Sequence, residues 1–399
     1  MCFLFSEPMN AFNSIFRFIL FFTLFFNALH VNAQEVEILT PAAPKIAASS
    51  FVLMDYSTGK ILAENNADIK LAPASLTKIM TVYVVLREVS GGHLRLDDVA
   101  NVSQNAWQTS GSRMFVEVGD KVRIEDLLKG VIIQSGNDAS VTLAEHVAGS
   151  EATFAEMMNQ HAARLGMLNS HFQDSNGLPI DNHYTTARDL AILTKALIDE
   201  FPQYYPWFSQ KEFTYNKITQ HNRNQLLSRD ETVDGVKTGF TDDAGYCLVA
   251  SALRENMRLI SVVMGTSSAN ARANENQNLL NYGFRFFEGH KLYEAKKPLS
   301  DVRVWKGASK NVSIGLANDL NVTIPRRHYA DLKAEIIVDK KITAPIVEGA
   351  KLGTVKVTLK NDVIITADLV ALQSVEQGNI FQRLYDSIMM MREKSSDKK

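Results

Sequence analysis

The chain has 399 residues, enough for two domains and a sizeable core. Its 42 basic and 44 acidic residues nearly cancel. That balance offers no basic stripe for a phosphate backbone, so no nucleic-acid partner is expected.

Arg17 precedes an apolar run over residues 18–26, and a small-residue site follows at Val31-Asn32-Ala33. Residues 1–33 read as a secretory signal cut before Gln34, with Met9 as an alternative start. The rival is an uncleaved anchor, but the run is short for a span of ~20 residues. Cleavage would remove Cys2 and leave Cys247 alone in the apolar run 246–252, as a small buried hydrophobe. Such an exported protein has no internal disulfide and must rely on its core. The nine histidines show no metal-ligand spacing, and neither a metal nor another cofactor is expected.

Residues 34–45 read as coil. Residues 51–55 and 60–64 flank a turn-like Tyr56-Ser57-Thr58-Gly59 and predict a hairpin. A helix is predicted from Ser75 to about Val89, with others near 125–134, 138–148, 151–165 and 186–199. Strand patterns return at 233–238, 245–253 and 258–265, and a closing helix is predicted at 273–287. Strands at both ends around a helical middle make an α+β layout with one antiparallel sheet over residues 34–297. Short strand patterns at 302–305, 322–324, 334–338, 354–359 and 363–367 then predict a small β domain over 298–377, read as a spacer or assembly module. Residues 378–399 are amphipathic. Ile380, Phe381, Leu384, Tyr385, Ile388, Met389 and Met391 share one half of a helical wheel, for a membrane interface or for packing on the β domain.

Three peptides stand in order on this frame: Ser75-Leu76-Thr77-Lys78, Ser135-Gly136-Asn137 and Lys237-Thr238-Gly239. Each alone is weak, and each has a plain structural reading as a helix cap, a capping turn or a strand end. Together, as S-x-x-K, S-x-N and K-T-G, they point to an acyl-serine enzyme. Ser75 falls at a helix start, where free N–H groups favour an oxyanion. Lys78 lies one turn on, and only its neutral amine can take the Ser75 proton. Burial lowers a lysine pKa and so does a nearby cation, for which Lys237 is the expected candidate. Gly239 would let a ligand approach the backbone, and an edge strand there could take an extended peptide.

These stretches closely resemble the low-molecular-mass penicillin-binding proteins that are D-alanyl-D-alanine carboxypeptidases of the type-5 group. The resemblance is carried by residues 73–81 (PASLTKIMT), 130–138 (GVIIQSGND), 233–239 (VDGVKTG), 244–252 (AGYCLVASA) and 282–288 (YGFRFFE), and it spans essentially the whole mature chain. It implies a β-lactamase/transpeptidase-like fold and removal of the terminal D-alanine from peptidoglycan stem pentapeptides. It further implies acylation by β-lactam antibiotics and a place at the periplasmic face of the bacterial inner membrane, held by the C-terminal helix. By that resemblance Ser75 is the nucleophile, Lys78 the general base, and Ser135 and Lys237 assist proton transfer. Asn137 and Thr238 bind substrate, and the N–H groups of Ser75 and Phe240 form the oxyanion hole. Arg272 lies near the substrate carboxylate, and Arg223 matches a second arginine in an Asn-Arg-Asn context. Relatives often carry histidine after K-T-G where this chain has Phe240, so turnover or preference is expected to differ. Rival readings are a class A β-lactamase, a DD-endopeptidase and an idle peptidoglycan-binding scaffold. The lactamase would need a Glu-x-x-x-Asn pair, which between Ser135 and Lys237 exists only as Glu212 and Asn216, too near the third motif.

Overall fold

A computed structural model describes residues 40–396, with side chains described as far as residue 391. The expected signal segment lies outside the described residues. β1 (Ser50–Asp55) and β2 (Ile61–Asn65) form the expected antiparallel hairpin. The Asp55 carboxylate closes its turn by accepting from the Thr58 amide and hydroxyl. One 3₁₀ turn, Ala74–Leu76, leads into α1 (Thr77–Ser90). Residues 77–86 of α1 are buried without a break. A helix apolar nearly all round must be enclosed, and α1 is the central helix of the core.

The helical middle follows. β3 (Val99–Asn101) leads to α2 (Gln104–Gln108), then β4 (Lys121–Arg123), which pairs with β3, and α3 (Ile124–Lys129). The helix expected over 125–134 is α3 continued by a π turn at Gly130–Gln134. α4 (Asn137–Ala148), α5 (Glu151–Leu165) and α6 (Ala187–Glu200) complete the layer. Ser150 and Thr186 cap α5 and α6 by accepting from the amides of Thr153 and Asp189. A small hairpin, β5 (Glu212–Tyr215) with β6 (Ile218–His221), and the short α7 (Leu226–Arg229) return the chain to the sheet.

β7 (Val233–Thr241), β8 (Gly245–Arg254) and β9 (Met257–Thr266) are successive antiparallel strands, and α8 (Ala269–Phe286) follows. The sheet order is β2-β1-β9-β8-β7, which leaves β7 at an edge. Both faces are covered. Val52 and Met54 of β1 point into the core around α1, while Phe51 and Leu53 point into a second cluster with Leu279, Leu280 and Phe284 of α8. That is the period-two alternation of a strand buried on both sides. Each fully buried aliphatic side chain contributes roughly 1.5–3 kcal/mol of transfer free energy.

The remaining strands are β10 (Phe287–Tyr293), β11 (Ser300–Arg303), β12 (Asn311–Leu316), β13 (Leu320–Pro325), β14 (Leu332–Val338), β15 (Lys351–Leu359) and β16 (Asp362–Ala371). They form a sheet in the order β11-β12-β16-β15-β14 and a β10-β13 pair. β10 and β12 have no counterpart among the sequence expectations, because glycines and charges dilute their apolar alternation (FEGHKLY, NVSIGL). β13 joins this sheet region to the hairpin: the Thr323 hydroxyl lies 2.9 Å from that of Thr58, and its carbonyl accepts from Lys60 Nζ at 3.1 Å. The chain closes in α9 (Ile380–Ser396).

Candidate active site

The three motifs converge. Ser75 sits on the 3₁₀ turn and Lys78 in the first turn of α1, where its side chain is fully buried. Lys78 Nζ lies 3.0 Å from Ser75 Oγ, 2.7 Å from Asn137 Oδ1 and 2.5 Å from the Asn176 carbonyl oxygen. The last two atoms can only accept. A neutral amine therefore spends both its N–H bonds on them, and its lone pair is left for the Ser75 hydroxyl proton.

Burial, reinforced by Arg223, brings Lys78 down to about 7, against the opposing pull of Asp174, Asp138 and Glu151. Arg223 thus joins the expected Lys237 as a basic group near Lys78, and the two lysines act on each other. Lys237 is itself held well below the ordinary lysine range, by burial first and then by Lys78, Arg223 and Arg272.

Ser135 follows the π turn and takes a left-handed backbone, φ 61°. π turns and such φ values cost energy and cluster at functional sites. Here the kink directs Ser135 Oγ to Lys237 Nζ, which donates to it at 2.8 Å. Asn137 opens α4 with its amide fixed at both ends: Oδ1 accepts from Lys78, and Nδ2 donates to the Ser110 carbonyl at 2.6 Å. The Lys237-Thr238-Gly239 strand lies against the entry to α1. A Cβ on Gly239 would stand 3.1 Å from the Pro73 carbonyl and 3.2 Å from the Leu76 side chain, so a side chain there would press on the turn that carries Ser75.

A cleft of about 420 Å³ gathers Ser75, Ser135, Asn137, Arg223, Thr238, Gly239, Phe240 and Arg272, with the two lysines buried beneath it. Arg272 donates to the Gly239 carbonyl at 2.9 Å and lies over the Tyr246 ring. Arg223 donates to Ser112 Oγ at 2.6 Å. Phe240 is half exposed and stacks on Tyr246, ring centres 4.2 Å apart. Among the described residues no carboxylate lines the cleft. Glu212 stands on the β5–β6 hairpin, 59 % exposed and paired with His221.

Sequence reasoning missed the loop between α5 and α6, residues 174–178 (DSNGL). Its Asn176 carbonyl, Gly177 and Leu178 all belong to the site. Asp-x-Asn-Gly reads only as turn chemistry. Gly177, at φ +84°, is wedged under the turn that carries Ser75, where a Cβ would fall 1.8 Å from the Ala74 carbonyl oxygen. Gly177→Ala is expected to cost about 2 kcal/mol or more, read as a fall in denaturation midpoint with unchanged m-value. A wild-type midpoint would contradict this packing.

The model of the D-alanyl-D-alanine carboxypeptidase family (peptidase S11) matches residues 37–268, and that of the penicillin-binding protein 5 C-terminal domain matches residues 287–377. Escherichia coli D-alanyl-D-alanine carboxypeptidase DacC is 45% identical over 359 residues, covering 88% of this chain and 90% of that protein. Escherichia coli DacA is 41% identical over 377 residues, covering 92% of this chain and 94% of that protein. The crystal structure of penicillin-binding protein 5 from Haemophilus influenzae superimposes with a TM-score of 0.81 at 41% identity, over 85% of this chain and 100% of that one.

Proposed function

This chain belongs to the D-alanyl-D-alanine carboxypeptidase family of penicillin-binding proteins, and from that premise we propose a two-step serine mechanism on peptidoglycan stem pentapeptides. Ser75 Oγ attacks the carbonyl between the two terminal D-alanines as its proton passes to neutral Lys78. The N–H groups of Ser75 and Phe240 receive the oxyanion. The proton taken up by Lys78 is passed on through Ser135 and Lys237 to the departing D-alanine amine, which returns Lys78 to its neutral form. Thr238, Arg272 and Arg223 hold the terminal carboxylate, and Asn137 holds a substrate amide. Water, deprotonated by Lys78, then hydrolyses the acyl-enzyme. A β-lactam acylates the same serine, but its leaving group stays tethered and deacylation is slow.

The observation that carries this reading is the clamp on Lys78: Nζ is within hydrogen-bond distance of two carbonyl oxygens and of Ser75 Oγ, so a neutral amine held by the carbonyls keeps its lone pair for Ser75. The absence of a carboxylate among the described lining residues favours slow deacylation over a class A β-lactamase, which needs a glutamate to activate water. Mass spectrometry of penicillin-treated protein tests the reading. One long-lived adduct on the peptide containing Ser75, together with D-alanine release from a pentapeptide, supports it. Rapid penicillin turnover without an adduct, or peptide binding without D-alanine release, would sink it.

We place the protein on the periplasmic face of the inner membrane, exported by residues 1–33 and held by α9. α9 meets the β domain through Asp386, which accepts from the Lys306 amide at 2.5 Å. Much of its apolar side is exposed: Ile380, Phe381, Leu384, Tyr385 and Ile388 are each at least half exposed. Among the described residues no helix is long and apolar enough to cross a membrane, so an interfacial attachment suits this surface. The division between the catalytic and β parts falls near residue 287, since β10 pairs with β13. Removing residues 379–399 is expected to release the mature enzyme from membranes with penicillin labelling intact. Persistent membrane association of that truncated, signal-cleaved protein would contradict the anchor.

A further inference from the structure

The loop between α5 and α6 has no substrate-binding part in the mechanism above, yet it supplies one of the two carbonyls that clamp Lys78. What fixes that carbonyl is Asp174, a carboxylate only 9 % exposed. One of its oxygens, Oδ1, accepts from two consecutive amides, Asn176 N–H at 3.0 Å and Gly177 N–H at 2.6 Å. The loop is pinned again on its outer side. Glu151 Oε1 accepts from the Ser175 amide at 3.0 Å and hydroxyl at 2.6 Å, and Thr81 donates to the Ser175 carbonyl at 2.5 Å. With both neighbouring N–H groups turned toward Asp174, the Asn176 carbonyl faces Lys78 Nζ at 2.5 Å.

Resting on the Ser75–Lys78 reading, we propose that Asp174 is a positioning residue of acylation: it aims the Asn176 carbonyl at Lys78 and keeps its own negative charge within electrostatic reach of that amine.

The charges around Lys78 come from every element packed on it. Asp174 faces it from the loop, Asp138 from α4, Glu151 from α5, Arg223 from the segment after β6, and Lys237 from β7. Among them Asp174 is the strongest influence favouring the protonated amine. Asp174 in turn faces Lys78 and His183, whose Nδ1 is 3.5 Å from Oδ1. Burial holds His183 down at about 4, so it is neutral at working pH and does not compete as a cation. Its Nδ1 accepts from the Gln173 amide, which leaves Nε2–H to donate to Thr77 Oγ1 at 2.9 Å. Removing the Asp174 charge therefore lets Lys78 lose its proton more easily, and removing its oxygens frees the Asn176 carbonyl to turn away.

The test is the rate of acylation by a fluorescent penicillin as a function of pH, with thermal melting of each protein alongside. In Asp174→Asn the amide oxygen still accepts from both N–H groups but the charge is gone. Its acid limb, set by loss of the Lys78 proton, is expected to move to lower pH by about half a unit or more. Asp174→Ala loses the grip as well, and its plateau rate is expected to fall about tenfold or more. The inference is overturned if Asp174→Asn keeps the wild-type limb, or if the loss of rate in Asp174→Ala only tracks loss of folded protein. Failure of the wild type itself to be acylated at Ser75 would instead overturn the underlying reading, and the inference with it.

Discussion

Replacing Ser75 by alanine is expected to abolish covalent labelling by penicillin and to lower D-alanine release by roughly 10⁴-fold or more. The loss should be chemical and not structural. Ser75 Oγ is tied to the fold by the contact to Lys78 Nζ, and such a bond contributes about 1 kcal/mol to stability. Thr238, Arg272 and Arg223, the proposed carboxylate-binding residues, remain in place, so the variant should still bind a D-Ala-D-Ala peptide reversibly. Retained binding with lost turnover separates the nucleophile from the binding residues. A Ser75→Ala protein that still forms an adduct would move the nucleophile elsewhere.

Lys78→Met is expected to lower the second-order rate constant for acylation by about 10³-fold or more while the protein stays folded. Methionine roughly keeps the volume of the buried stem and removes the lone pair. It also removes an amine whose burial is costly, as the drop to about 7 shows. Two carbonyls lose their donor in exchange, so the stability change is small compared with the kinetic one. Acylation of Lys78→Met at a near wild-type rate would assign the proton to another base. Lys237 is the obvious rival, since it is also buried and also depressed, but it stands against Ser135 at 2.8 Å.

The parts of the site legible in the sequence were those fixed by short-range order. A serine and a lysine three apart at a helix start are expected to share a face, and the 3₁₀ turn and the first turn of α1 together place them so. Apolar alternation at 233–238, 245–253 and 258–265 marked the three strands that carry Lys237 to the cleft, with ends within a few residues of those observed. What depended on long-range contacts was not legible. Lys237 was expected beside Lys78, but the part of Arg223 was not legible, because these groups are brought together only by the fold. The residue 174–178 loop looked like an ordinary turn because its contribution to the site is a backbone carbonyl, which any residue supplies. The π turn before Ser135 was read as continuous helix, since periodicity does not report a single inserted residue. The helical wheel marked the apolar half of α9 but left open whether it is exposed or packed, and the structure exposes Ile380, Phe381, Leu384, Tyr385 and Ile388.

If an uncharged Lys78 amine accepts the Ser75 proton, acylation must depend on its titration. Lys78 sits at about 7, below the ordinary lysine value, so the reactive neutral form is lost as pH falls through that point and saturates above it. The decisive measurement is the wild-type acylation rate constant for one penicillin from about pH 5 to about pH 9. The expected profile rises about tenfold per unit on the acid side, bends near 7 and then levels. A rate that is flat across this range, or that keeps rising toward the pKa of an ordinary exposed lysine, would contradict activation of Ser75 by a buried neutral amine.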